Sequence, residues 1–255
     1  MSLLEIEKLT KEFDGVTALQ DVTFEVAEGE ILGVIGPNGA GKTTLFNCIS
    51  GMLLPGRGTI RFRGEAIQGR KPHEIAHRGI ARTFQIVRPF PTLSLLDNVL
   101  VAYGHRHYPC LHAATAPFST AETRQAVQAL LERVGLSGGH DRPAGTLPLG
   151  LKKRLEIARA LALNPALLLL DEPSGGLRHE ESQQLLELIR RLNQEGISII
   201  LIEHNMPIVM GVCHRLVVLD HGTKIAEGDP AAIRKNPQVI EAYLGRQSVN
   251  EATGQ

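Results

Sequence analysis

The octapeptide Gly36-Pro37-Asn38-Gly39-Ala40-Gly41-Lys42-Thr43 constrains this chain more than any other stretch. The apolar run Glu30–Ile35 leads into it, and TTLFNCISGM, with helical apolar spacing, follows it. A buried strand therefore passes through a glycine-rich turn into a helix. Every position fits G-x-x-x-x-G-K-[ST]. The glycines let successive backbone N–H groups point into one concavity, at the positive end of the following helix. Such a cup holds phosphate oxygens. In it Lys42 reaches the β and γ phosphates of a nucleotide, and the Thr43 hydroxyl ligates Mg²⁺. The expected nucleotide-binding set in this stretch is Gly36, Pro37, Asn38, Gly39, Ala40, Gly41, Lys42, Thr43 and Thr44.

A second carboxylate site follows from LLLLDE at 167–172, which reads as a buried strand with an acidic pair at its end. An acidic pair after an apolar run is common in loops; a phosphate-binding turn upstream gives this one a purpose. Asp171 would lie beside the loop and hold Mg²⁺ through water. Glu172, pointing elsewhere, could polarise an attacking water.

The rest of the chain supplies an α/β frame for these two sites. Leu3–Lys8, Val22–Val26, Gly58–Arg63 and Ile80–Gln85 read as further strands, and Ile197–Glu203 as a second buried one. Leu216–Asp220 and Lys224–Glu227 form a hairpin around His221-Gly222. From Pro89 the character changes: Leu95–Ala102, Ala121–Val134 and Leu151–Leu163 carry helical spacing, and Tyr103–Thr120 reads as a variable loop. Glu180–Gln194 is a helix, as are the short segments Pro230–Arg234 and Pro237–Leu244, and Arg246–Gln255 is a loose tail. We expect one domain over 1–245, its core at 1–85 and 164–245 interrupted by a mostly helical lobe at 86–163.

At 255 residues the chain can bury a sizeable core without staples. Lys+Arg and Asp+Glu are equal at 27 each, so no overall basic field argues for nucleic acid or anionic lipid. Cys48, Cys110 and Cys213 are too scattered for a disulfide framework or metal clip, which suits a reducing cytosol. Crossing a membrane takes about 20 consecutive apolar residues, and the longest apolar runs here are of strand length. If the protein works at a membrane, other chains must cross it.

The order of motifs resembles an ABC-type ATPase along nearly the whole chain, from about Leu3 to Leu244: the P-loop, Gln85 after an apolar strand, LPLGLKKRLEIARAL, LLLLDEP and ILIEH. That resemblance implies a P-loop NTPase core with an inserted helical subdomain and an N-terminal antiparallel β subdomain, with ATP and Mg²⁺ as ligands. It implies that Phe13 stacks on adenine, that Gln85 senses Mg²⁺ and water, and that His204 contacts the γ-phosphate. Glu172, His204 and Gln85 would be catalytic, and Thr43, Gln85 and Asp171 would surround the metal. Leu147, Pro148, Leu149, Gly150 and Leu151 would form the signature segment that touches nucleotide on a second subunit, and Ser174–Leu177 the loop crossing to it. Most members of the family carry L-S-G-G-Q at that signature; Pro148 offers neither hydroxyl nor N–H, so the contact across the dimer should be weaker. Without the other motifs, His204 would read as a core histidine and Gln85 as a polar strand end.

GIARTFQIVRPFPTLSLLDNVLVA, RLEIARAL, DEPSGGL, ILIEHNMPIVM and NPQVIEAYLG resemble one branch of the family, the ATP-binding subunits of branched-chain amino acid importers. A urea or amide importer, or a lipopolysaccharide exporter, would share much of this pattern, though RTFQ and LIEH favour the importer branch. The implied partners are a second ATP-binding subunit of different sequence, two permease subunits and, indirectly, a periplasmic or extracellular solute-binding protein. The implied place is peripheral, on the cytoplasmic face of the inner membrane. Outside this class stand a soluble P-loop ATPase acting on nucleic acid or ribosomes, and a small-molecule kinase. The first usually carries long coiled-coil insertions or duplicated cassettes, which this sequence does not show, and the second would leave the signature region and His204 unexplained.

Overall fold

The computed structural model describes residues 2–85, 87–107 and 119–243. The expected tail Arg246–Gln255 and most of the variable loop lie outside the described residues.

Among the described residues ten strands form two sheets. The first four-stranded sheet is antiparallel and contains β1 (Ser2–Phe13), β2 (Val16–Ala27), β4 (Arg57–Phe62) and β5 (Glu65–Ala66), in the order β2-β1-β4-β5. The second contains β3 (Ile31–Ile35), β6 (Ile80–Arg82), β7 (Leu167–Asp171), β8 (Ser198–Ile202), β9 (Arg215–Asp220) and β10 (Thr223–Gly228), in the order β10-β9-β3-β8-β7-β6. All its neighbours are parallel except the β9–β10 hairpin.

Burial on both faces explains why β7 reads as an unbroken apolar run. Successive side chains alternate faces. Leu167 and Leu169 join Leu32, Val34, Ile200 and Ile202 in the core facing the small sheet. Leu168 and Leu170 join Ile31, Ile35, Ile199 and Leu201 in the opposite core. The first core also takes Leu45, Phe46 and Ile49 of α1 (Lys42–Ile49), so this helix is wedged between the sheets.

The opposite core packs helices. α3 (Leu95–Tyr103), α4 (Ala121–Arg133) and α5 (Leu149–Leu161) pack on one another, and α6 (His179–Gln194) and α7 (Met206–Val212) join the same cluster. The Ser94 and Thr120 hydroxyls accept N–H groups from Asp97 and Thr123, satisfying orphan donors at the starts of α3 and α4. α5 begins earlier than the expected Leu151. Pro148 serves as its N-cap with φ −64° and ψ 162°, and needs no N–H there. Helical backbone at 237–243 ends the described chain.

β1 and β2 are both longer than their apolar patterns suggest. Their pairing shifts register at several points, including between Ile6 and Leu9, and each bulge breaks the two-residue alternation that marks a strand. Asp14 and Gly15 join them with φ 45° and 85°, a two-residue turn whose twist matches a hairpin. β6 is shorter than expected, so Gln85 lies in a loop beyond it.

One arginine ties the sheets together. The Arg215 guanidinium donates to both Glu30 carboxylate oxygens at 2.8 and 3.0 Å, to the Glu25 carbonyl of β2 at 2.6 Å, and to Glu227.

Candidate functional site

β3 delivers the chain into a loop whose glycines are sterically required. A Cβ on Gly36 would fall 2.0 Å from the Leu219 carbonyl oxygen, and one on Gly41 would fall 2.5 Å from the Ala18 carbonyl oxygen. Both residues have positive φ, 149° and 102°, where L side chains are strained. The Ala40 N–H donates to the Pro37 carbonyl at 3.1 Å, and the Gly222 N–H donates to the Ala40 carbonyl at 3.1 Å. The β9–β10 turn thus braces the loop from outside. Gly36→Ala is expected to lower thermal stability and nucleotide affinity together. Wild-type values for both, by thermal melt and nucleotide titration, would refute that fit.

α1 starts at Lys42 with no side-chain cap and no acidic residue in its first turn. Its leading N–H groups and dipole therefore present positive potential. Asn38, Gly39 and Thr43 are exposed at the mouth, while Gly36, Pro37 and Ala40 are buried and Thr44 is half-buried. The Lys42 ammonium donates to the Gly36 and Pro37 carbonyls at 2.7 and 2.9 Å, lying across the loop it belongs to.

The end of β7 is more crowded than the sequence suggests. Asp171 Oδ2 sits 3.0 Å from an Arg82 guanidinium nitrogen, with both side chains buried. Arg82 also donates to Asn47 Oδ1 at 2.7 Å and Ser50 Oγ at 3.0 Å, and its guanidinium carbon lies 5.5 and 5.2 Å from the Phe46 and Phe84 ring centroids. Burial pushes the Asp171 carboxyl up from its ordinary value, against the pull of Arg82 and Lys42. Burial likewise pushes Arg82 down, against the pull of Asp171. Sequence reasoning passed over Arg82; a charged residue in the short apolar strand Ile80–Arg82, upstream of a buried aspartate, was the available signal.

Glu172 occupies a left-handed conformation, φ 46°, rare for a residue with a side chain. That turn swings its carboxylate away from Asp171 toward two other expected residues. Glu172 Oε2 accepts from Gln85 Nε2 at 2.7 Å, and Oε1 lies 3.7 Å from His204 Nδ1. His204 is 57 % exposed, so it is no core histidine. The loop position of Gln85 lets it make this contact, since no ladder partner fixes its backbone.

Thr43, Gln85 and Asp171 line one cavity of about 640 Å³, together with Arg82, Asn47 and Glu156. The hydroxyl, amide and carboxylate oxygens of these three residues are the hard donors that Mg²⁺ takes, often with waters filling the remaining positions. The residues fit that ion. No cluster of three His, Cys, Asp or Glu side chains suited to a metal occurs among the described residues.

Two expected contacts lie at the periphery. Phe13 is 40 % exposed at the β1–β2 hairpin, with the Lys11 ammonium 4.9 Å from its ring centroid. In the signature segment Leu147 is buried, Pro148 and Leu149 are exposed, and Gly150 and Leu151 are half-buried at the start of α5. A Cβ on Gly150 would lie 3.0 Å from Glu181 Oε1, so α5 approaches α6 closely there.

Residues 19–175 match the family described as ABC transporter, and 223–248 match the branched-chain amino acid ATP-binding cassette transporter family. The chain belongs to the ABC transporter ATPases. Among curated relatives, this ABC ATPase is 44 % identical to the high-affinity branched-chain amino acid transport ATP-binding protein BraF of Pseudomonas aeruginosa, covering 95 % of this chain and 98 % of that one. It is 42 % identical to LivG of Escherichia coli, named for the same transport, with 95 % and 98 % covered. Among solved structures, an ATP-binding cassette of an ABC transporter in its ADP conformation superposes with a TM-score of 0.86 at 32 % identity, with 96 % and 99 % covered. The α/β architecture of this ABC ATPase is therefore that of a nucleotide-binding cassette.

Proposed function

We propose that this ABC ATPase drives uptake of branched-chain amino acids through a multi-subunit importer. The observation that carries the reading is likeness to BraF and LivG along nearly the whole chain, including the separate C-terminal match at 223–248. Among the described residues no helix is long and apolar enough to cross a membrane. Separate permease subunits form the path in this reading. The ATPase sits peripherally on the cytoplasmic face, and a solute-binding protein acts from the other side.

The domain reading is one unit over 1–245, with the helical insert at 86–163 and Gln85 at its entrance docking permease loops. Two ATPases face each other head to tail, the second being a different chain. The α5 N-terminus of each lies against nucleotide held by the other, so ATP stabilises the closed pair by linkage. Gly36 to Thr44 cradle the phosphates through backbone N–H groups, and Lys42 moves from its loop carbonyls onto the β and γ oxygens. Phe13 stacks on the base.

Thr43, Asp171 and Gln85 would hold Mg²⁺, which would supply positive charge to offset the charge developing on the transferring phosphoryl group. Glu172 orients and polarises the attacking water, and Gln85 restrains the carboxylate that does so. His204, beside Glu172, contacts the γ-phosphate. Pro148 weakens this subunit's grip across the dimer because it donates no hydrogen bond. One strong site in the pair then suffices.

Lys42→Ala should raise the dissociation constant for MgATP by about 10- to 100-fold, the loss of charge-assisted hydrogen bonds to phosphate. Titration of the purified chain with a fluorescent ATP analogue measures this, and unchanged affinity would contradict the phosphate assignment. The substrate reading is tested in vesicles containing permease, both ATPases and binding protein. Uptake of leucine, isoleucine or valine should require ATP and be lost with Lys42→Ala. Uptake of other solutes only would overturn it.

A further inference from the structure

Two buried charged side chains that the proposed mechanism does not use converge on the turn carrying Glu172. Lys153, on the inner face of α5, is 6 % exposed, and Glu203, just past β8, is fully buried. The Lys153 ammonium donates to the Glu172 carbonyl oxygen at 3.0 Å. One Glu203 carboxylate oxygen accepts the Ser174 N–H at 2.8 Å, and the other is buried with no hydrogen-bond partner. The segment Glu172–Ser174 is therefore gripped at both ends, from α5 and from the end of β8.

Neither grip has an obvious role in stability alone. Burying an unpaired carboxylate oxygen and an ammonium is costly, and apolar side chains of similar size would serve a purely structural core as well or better. Burial pushes Lys153 below its ordinary range, and the charges of Glu203 and Glu172 oppose that shift. Glu203 also faces the buried Cys213 thiol, whose pKa is pushed up to about 12, first by burial and then by that charge. The Lys153 ammonium, the Ser174 amide and a buried thiol thus face the Glu203 carboxylate.

The turn needs such support. Glu172 is held at φ 46°, a conformation that costs free energy and persists only where surroundings impose it. Its carbonyl accepts twice, from Lys153 and from the Gly175 N–H at 3.1 Å. Gly175 leaves room for this arrangement. A Cβ there would come 3.3 Å from the Glu172 carbonyl oxygen and 3.7 Å from the Lys153 ammonium.

We infer that Lys153 and Glu203 are positioning residues that hold Glu172 in its left-handed turn and so aim its carboxylate at the water site. The inference rests on the reading of Glu172 as the residue that polarises water. It also links α5, which begins with the signature segment, to the aim of a carboxylate in the same subunit. A shift of α5 pulls on the Glu172 carbonyl through one hydrogen bond.

The test uses the assembled complex and the double substitution Lys153→Met with Glu203→Gln, which leaves no uncompensated buried charge. Its kcat should fall by about 10- to 100-fold, as expected for a misplaced catalytic group, while KM for MgATP stays within about twofold of wild type. Glu203→Gln alone keeps the shape and an acceptor for Ser174, and should give a smaller fall of the same kind. In a Glu172→Gln background the double substitution should cause no further loss, because its effect runs through that carboxylate. Wild-type kcat in a folded double variant, or a loss that adds fully to that of Glu172→Gln, would overturn the inference. The two readings separate cleanly. Near wild-type turnover in Glu172→Gln alone sinks the water-polarising role. A crippled Glu172→Gln beside an unimpaired double variant sinks only the positioning role.

Discussion

Glu172→Gln is expected to lower ATP turnover by about 100- to 10,000-fold while leaving MgATP binding intact. The amide keeps the shape of the carboxylate and can still meet Gln85 and His204, which lie 2.7 and 3.7 Å from it. What it loses is the ability to draw a proton from water. The γ-phosphate would then persist between the two subunits, so the closed pair should accumulate. Steady-state phosphate release measures the first effect and size-exclusion chromatography with MgATP the second. Turnover near wild type would show that another group polarises the water.

Arg82→Met should cause the largest loss of stability. The substitution leaves Asp171 buried without its 3.0 Å partner and strips the donors that Asn47 and Ser50 accept. Breaking one half of a buried ion pair costs about 3–5 kcal/mol, because the remaining charge is uncompensated. In a chain of this size each kcal/mol shifts the melting point by about 2–4 °C, so a fall of roughly 6–20 °C is expected. The flexible, unbranched side chain of Met can still pack against Phe46 and Phe84, which isolates the charge effect from a packing effect. A melting point within about 2 °C of wild type would mean that the pair stabilises nothing.

The parts of the fold that could be read from sequence are those where one physical rule acts alone. β7 and β8 announce themselves because burial on both faces makes four consecutive residues of each apolar. The phosphate loop does so because its backbone conformation excludes side chains at Gly36 and Gly41. Where two rules compete the reading fails. Bulges hide half of β1 and β2, and α5 starts two positions early because Pro148 suits an N-cap as well as a first turn. The helices α2 (Pro72–His77) and α7 escaped notice because each is too short to show a period, although a proline at the start of each was a usable signal.

At the site, the sequence pattern pointed to Asp171 and Glu172 and the family resemblance to Gln85 and His204, but neither could say what they touch. That Asp171 is locked to Arg82, and that Glu172 leans on Gln85, depends on strands distant in sequence lying side by side. Lys153 and Glu203 were hidden for the same reason. Their residue types suggest a solvated surface, and only the packing of α5 against the end of β8 takes them out of water.

The guanidinium of Arg215 has a mechanical consequence. By holding a carbonyl of one sheet and carboxylates beside the other, it denies the N-terminal hairpin a hinge of its own. The hairpin that carries Phe13 and the segment that leads into the Gly36 cup are thereby pinned to each other.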